Sequence, residues 1–453
     1  MEITRSVVDF IVNAKFDDFP LEVVCEVKKR LLDFLGVTLA GAKRIESKIV
    51  YQTVMTLGGK EECVFIGHNT KGSCINASLV NSVSGHVLEL DDINKKGILH
   101  ASIVVIPAAL AASEREKASG RQLIIAIILG YEIGIRIAEL LNPLHRFQGF
   151  HTTGTCGTFA AAVAAGKIFN LNKEEMLNAL GLAATQASGL LEFHNMSKRL
   201  NPGTAVYSGI LSALLAKNGF TGATKVLDRK SKFIKAFVNS SNTPEIITQD
   251  LGEKFKILET DVKFHACCGF FHSALDALIS IVKKHEIHDL DSIERIEIQT
   301  FCAAIDGHNE CYPQNLVAAT MSFPYNVALT LINHYRDMEG KKLLNNHNVI
   351  DSEAINFIHK IELKNSDSIE RLFPKKWAAD VHIKTKNGKI YECYVDHPKG
   401  SYPDNPASND EIKMKFERLV KSKLNIDRIR EIERTIDHLE NLDDITIMME
   451  ALM

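Results

Sequence analysis

A chain of 453 residues with 45% apolar and 24% charged side chains is long enough for two or three cores and has the composition of a soluble globular protein. Its formal net charge of −3 offers no basic surface to a nucleic acid, and its longest apolar run, Leu123 to Leu129, is far short of the roughly 20 residues that span a bilayer. Nine cysteines without a CxxC pair, and a start (MEITRSVVDF) lacking the basic and apolar regions of a signal peptide, exclude a disulfide framework and a structural zinc site and make the cytoplasm the expected location.

In chain order, residues 1 to about 260 read as almost continuous helix. Val8, Phe10, Ile11 and Phe16, then Val23, Val27, Leu31, Leu32 and Leu35, recur three and four apart. Ser119-Gly-Arg-Gln122 has the form of a capping box and opens a helix to about Leu141; Asn172-Lys-Glu-Glu175 repeats the device. The runs FAAAVAAGKIF (159–169) and ALGLAATQASGL (179–190) are rich in Ala and Gly, which let helix axes approach closely and place these segments in the middle of a bundle. Past residue 260 a helix from Phe271 to Lys284 leads into IERIEIQTF (293–301), whose alternation is that of a half-buried strand. INFIHKIELK (355–364) and AADVHIKTKNGKIYECYV (378–395) continue the texture, the latter with an Asn387-Gly388 hairpin signal of type I′. HPKGSYPDNPAS (397–408) breaks the pattern before a charged helix from Asp410. The fold expected is mainly α: a helical domain over 1–260, an α+β insertion over 261–398, and a C-terminal helical return over 399–453.

Five clusters carry chemistry. His86, Glu89, Asp91, Asp92 and His100 lie in SGHVLELDDINKKGILHAS. An adjacent carboxylate pair ordinarily caps the next helix or is solvated, but here a histidine follows in a Gly-containing loop that enters a helix, where unpaired N–H groups attract anions. His151 is followed by Thr152, Thr153, Gly154 and Thr155 at a second helix start. Lys198 and Arg199 precede Asn201-Pro-Gly and follow His194; alone they read as an exposed loop. Lys263 stands before the Cys267-Cys268 pair, and Tyr325 lies in MSFPYNVAL, where a core aromatic is the plain alternative.

Together these segments, with GFHTTGTCGTFAAAVAAGKIFNL, SKRLNPGTAVYSGILSALLAKNGFTGA, KFHACCGFFHSALDAL and PKGSYPDNPAS, resemble the MmgE/PrpD family in the same order along the chain. That family includes 2-methylcitrate dehydratase, cis-aconitate decarboxylase and iminodisuccinate epimerase. The resemblance implies a large all-helical domain with a smaller α+β lid domain, a homodimer, and a small polycarboxylate as partner rather than nucleic acid or membrane. It also implies catalytic roles for His100, His151, Lys198, Tyr325 and Asp92, and substrate contacts from Asp91, Arg199, Lys263, Cys268 and Thr152.

The family's Thr-His after the acidic pair is Ile93-Asn94 here, the histidine of its K-R-L-H motif is Asn201, and the decarboxylases' catalytic histidine is Cys268. The last weighs toward a dehydratase over a decarboxylase, with an epimerase as a further alternative. An inactive polycarboxylate-binding homologue is the alternative of a different class. With no Rossmann fingerprint, P-loop or three-cysteine set, the chemistry expected is acid–base catalysis without cofactor or metal. A proton moves at a carbon next to a carboxylate, carried by His100 ahead of His151, with Lys198, Arg199 and Lys263 as fixed positive charge.

Overall fold

The helix Leu21–Gly41 follows Pro20, and its apolar series Val23, Val27, Leu31 and Leu35 is fully buried. The same logic governs the rest of a chain that is mainly helical with two small sheets. The computed structural model describes residues 2–191, 195–237, 243–338 and 350–453. It divides into two compact units: Met1–Glu192 with Ser197–Asp261 and Ser408–Met453, and Phe193–Met196 with Val262–Ala407. Among the described residues no helix is long and apolar enough to cross a membrane.

In the first unit the helices Gly120–Leu141 and Lys173–Gln186 start at the capping boxes of Ser119/Gln122 and Asn172/Glu175. The central element is Thr152–Ile168, of which every residue but Lys167 is buried. It packs against Ser102–Glu116, Gly120–Leu141, Lys173–Gln186 and Ser197–Lys217. Small residues make this possible. A Cβ at Gly157 would come within 2.7 Å of Val104, and one at Gly209 within 2.7 Å of the Thr158 carbonyl oxygen. The helical reading of 1–260 was too generous, however. Cys63–Val64 and Lys71–Gly72 form a short antiparallel ribbon. The described residues from Asn218 to Thr260 are mostly turns around the short helix Lys232–Phe237, because their Gly, Asn and Asp residues favour local turns over an unbroken helical ladder.

The second unit carries a four-stranded sheet in the order Ile361–Asn365, Ile293–Thr300, Ala379–Thr385, Ile390–Val395; the first pair is parallel and the other two antiparallel. Ile296, Ile298, Val381 and Ile383 are paired across the two central strands and buried on one face, as period-two alternation requires, and the strands Ala379–Thr385 and Ile390–Val395 pack against the helix His272–Lys284. The segment 355–364 is half helical: Ser352–Phe357 is helix and only Ile361–Asn365 is strand. The hairpin differs in its turn. Gly388 alone has positive φ (84°), the Gly388 N–H donates to the Thr385 carbonyl and the Thr385 N–H to the Lys389 carbonyl. This is a three-residue loop with the glycine in the left-handed position, not a two-residue type I′ turn. The Asn387 side chain is used instead, by the Thr385 hydroxyl at 2.7 Å.

Candidate active site

The helix Cys74–His86 ends at His86 and the chain turns sharply, with Glu89 in the left-handed region (φ 52°). A non-glycine residue there costs roughly 1 kcal/mol, which its buried ion pairs offset. The loop that follows is fixed through its polar groups. The Gly97 N–H donates to Asn94 Oδ1 (2.7 Å), and Asn142 Nδ2 donates to the Gly97 carbonyl (2.7 Å) and to Thr152 Oγ1 (3.1 Å). The backbone N–H of His100 donates to Thr153 Oγ1 at 3.2 Å. The threonines at the start of Thr152–Ile168 thus tie the His100 loop to the helix that His151 precedes.

These ties bring the side chains of His86, Asp91, His100, His151, Lys198, Arg199 and Glu89 into one buried cluster of the first unit. Asp91 Oδ2 lies 2.9 Å from His100 Nδ1, and the Asp91 carboxylate lies 3.1 and 3.2 Å from His86 Nδ1. His100 Nδ1 also faces the Asp92 carbonyl oxygen at 3.0 Å. A carbonyl oxygen can only accept, so the His100 proton sits on Nδ1 and Nε2 is left as the basic nitrogen. Burial by itself would push the Asp91 carboxyl up; the imidazole N–H groups of His86 and His100 hold it well below the usual range.

His151 is arranged the other way round. Asn201 Nδ2 donates to the Leu190 carbonyl (3.0 Å) and faces His151 Nδ1 at 3.1 Å. An amide N–H there makes Nδ1 the acceptor and places the proton of a neutral His151 on Nε2. The ring is held neutral, its pKa well below the ordinary value, first by burial and then by the charge of Lys198. The two histidines therefore present complementary groups, a bare Nε2 on His100 and an Nε2–H on His151.

Lys198 and Arg199 begin the helix Ser197–Lys217, and both donate to Glu89 Oε1. Lys198 Nζ also lies 3.3 Å from His86 Nε2. Any substrate carboxylate drawn to these cations meets a pair already engaged by an internal anion. Asp92 has a scaffold's contacts: Oδ1 accepts from the Ser102 N–H at 2.9 Å and Oδ2 from the Tyr131 hydroxyl at 2.6 Å. Thr152 accepts from Asn142 and opens its helix.

Lys263, Cys268 and Tyr325 belong to the second unit. Lys263 is buried, with Nζ 3.5 Å from the Cys267 carbonyl oxygen. The Cys268 N–H donates to the Thr320 carbonyl, and the buried Tyr325 hydroxyl accepts from the Asp351 N–H at 3.0 Å. His194 lies outside the described residues.

His86, Asp91 and His100 offer three ligand atoms within 4.8 Å of one another. Both Nδ1 atoms point at the carboxylate as N–H donors, and the Lys198 ammonium stands beside His86, so a cation would have to displace both protons with an ammonium close by. Sequence reasoning gave no role to His86, to Asn201 or to the Glu89 pairing. The only signals were the five-residue spacing of His86 and Asp91 and the histidine-to-asparagine departure at Asn201.

The neutral histidines also predict acid sensitivity. Burial pushes His86 and His145 down to about 4 and His151 further, whereas in an unfolded chain each charges near 6.5. The unfolded state therefore takes up more protons as pH falls. The stability contributed by the neutral rings is complete above about 6.5 and lost toward about 4. Glu114, pushed up to about 8 by burial, acts in the opposite sense: its contribution is complete below about 4.5 and lost as pH rises through about 8. His68, also pushed down to about 4 by burial, acts with these imidazoles, and the buried carboxyls of Asp33 and Glu132, likewise raised by burial, act with Glu114. Urea unfolding is expected to lose stability as pH falls from 6.5 to 4.5, the range over which the unfolded chain's histidines charge; a flat or rising profile would mean that the buried carboxyls cancel the effect of the rings.

The MmgE/PrpD N-terminal domain model matches residues 5–245 and the MmgE/PrpD C-terminal domain model matches residues 265–441. The cis-aconitate decarboxylase-like protein oryM of Aspergillus oryzae is 27% identical over 99% of this chain and 97% of its own length. The cis-aconitate decarboxylase of Aspergillus terreus is 28% identical over 99% of this chain and 96% of its own length.

Proposed function

The chain belongs to the MmgE/PrpD family, and from that premise we propose that it is a cofactor-independent lyase acting on a small di- or tricarboxylate. The observation that carries this is the opposed protonation of the two histidines beside a buried Lys–Arg–Glu cluster. His100 is a base backed by Asp91, and His151 is a donor backed by Asn201. In a dehydration, His100 Nε2 takes the proton from the carbon next to a carboxylate, the electron pair of that C–H bond forms the double bond, and the hydroxyl, held by a hydrogen bond from His151 Nε2–H, leaves as water with the proton that His100 has just taken. Lys198 and Arg199, partly released from Glu89, stabilise the enolate-like charge. A 2-methylcitrate-type hydroxy acid fits this scheme, and Cys268 supports it.

Decarboxylation is the second reading, favoured by the cis-aconitate decarboxylases that align over the whole chain. There the carbon–carboxylate bond breaks, CO2 leaves, and the carbon that keeps the electron pair takes a proton from His100, which enters this reaction as the imidazolium. One experiment separates the two. The protein is incubated in D2O with 2-methylcitrate or cis-aconitate and followed by proton NMR and CO2 release. Water loss with the first substrate supports a dehydratase, and CO2 with deuterium in the product of the second supports a decarboxylase. Neither turnover nor deuterium incorporation with either would leave a binding protein and sink the proposal. Exhaustive chelation is expected to leave the rate unchanged; loss of activity restored by one divalent ion would reassign His86, Asp91 and His100 as ligands.

A further inference from the structure

His86 is fully buried, at the end of its helix, and takes no direct part in the chemistry proposed above. Its two nitrogens nevertheless face opposite kinds of partner. Nδ1 meets both oxygens of Asp91, and Nε2 meets Lys198 Nζ at 3.3 Å with Glu89 Oε1 at 3.7 Å. The charged and titratable groups around it are Asp91 and Glu89 from the turn after its own helix, His100 from the loop, His151 from the start of the central helix, and Lys198 and Arg199 from Ser197–Lys217.

We propose that His86 is a positioning residue: a neutral imidazole, protonated on Nδ1, that accepts a hydrogen bond from Lys198 and donates one to Asp91, so locking Asp91 against His100. The donors and acceptors leave no other consistent assignment. An ammonium can only donate, so Nε2 must accept; an ionised carboxylate can only accept, so Nδ1 must donate. A charged His86 would set an N–H against the lysine's own N–H groups. Burial, reinforced by the Lys198 charge, keeps the ring neutral. The result is a continuous chain of hydrogen bonds, Lys198 to His86 to Asp91, with His100 donating to the same carboxylate from the other side. Asp91 is thereby held by two imidazole N–H groups, and the orientation of the His100 ring follows from His86 as much as from Asp91. Outer partners of this kind, which never touch substrate, commonly change activity 10- to 100-fold.

The inference concerns the same site as the proposed function, but its first test needs no substrate. In ligand-free protein carrying 15N-histidine, long-range 1H–15N correlation spectra at pH 7.5 should show His86 with a protonated Nδ1 and an unprotonated Nε2. The opposite tautomer, or a ring protonated on both nitrogens, would overturn the proposal whether or not the chain is a lyase. The second test uses His86→Asn, whose amide N–H can stand in for Nδ1–H, and His86→Leu, which has neither partner. With cis-aconitate or 2-methylcitrate, whichever is turned over, His86→Leu should lower kcat roughly 10- to 100-fold with KM within about threefold, and His86→Asn should recover most of that loss. Equal losses for the two variants, or a loss confined to KM, would reduce His86 to packing. If His86→Leu does not fold, the tautomer assignment and the His86→Asn rate decide the matter, a His86→Asn rate more than tenfold down counting against.

Discussion

Replacing His100 by Gln is expected to lower the rate of solvent-deuterium incorporation by about 10³-fold, within the range ascribed to a positioned general base. Binding of the same di- or tricarboxylate should stay within a few fold. The expectation rests on protonation geometry rather than on the presence of a histidine. With Asp91 Oδ2 at 2.9 Å and the Asp92 carbonyl at 3.0 Å both facing Nδ1, the ring has no choice of tautomer, and its Nε2 lone pair is the one basic position it can offer. Glutamine has no basic nitrogen, so no donor or acceptor it supplies replaces that lone pair. His151→Gln should behave differently. His151 is the histidine whose Nδ1 is occupied by Asn201, and in the proposed scheme its Nε2–H donates to substrate, so binding and rate should fall together, by about tenfold each. Exchange at near wild-type rate in the His100 variant would move the base to His151 or Lys198.

Asp92→Ala is expected to cost about 3–5 kcal/mol of stability, read as a shift of the urea unfolding midpoint, and to reduce activity only as far as the fold is lost. The family resemblance implies a catalytic role for Asp92 and a substrate contact from Asp91, but the contacts of the two carboxylates differ from that division. Both oxygens of Asp92 are committed, one to the Ser102 N–H that opens the helix Ser102–Glu116 and one to the Tyr131 hydroxyl inside Gly120–Leu141. Burial raises the tyrosine well above its usual range, so it stays protonated and donates. The buried guanidinium of Arg30 is held in its charged form in part by the same carboxylate. Truncation leaves two buried donors unsatisfied and a buried cation short of an anion, which is why the estimate exceeds that for one hydrogen bond. Tyr131→Phe removes one of those bonds and should cost about 1–2 kcal/mol. An Asp92→Ala protein that unfolds at the wild-type midpoint yet has lost its activity would restore Asp92 to the catalytic group.

The sequence alone determined the helical character of the chain, several helix starts and the residues worth suspecting, because these are written in local signals. A capping box needs only four residues to satisfy its own backbone groups, as at Ser119 and Asn172, and the small residues of Thr152–Ile168 leave little alternative to a close-packed centre. The alternation in Ile293–Thr300 likewise marks its buried face. What a local signal cannot carry is the direction in which a loop presents its side chains. Asp91 and Asp92 are adjacent and alike in sequence, and only the turn after His86, with Glu89 in the left-handed region, aims one at two imidazoles and the other at Tyr131. The Lys198–Glu89 contact joins residues 109 positions apart, and the Asn201–His151 contact joins residues 50 apart; neither has a period or motif to announce it. Tautomers are decided in the same way, by whichever donor or acceptor the folded chain brings to each ring nitrogen. The histidines of the candidate site could be found in the sequence, but which nitrogen of each carries the proton is a property of the packed structure.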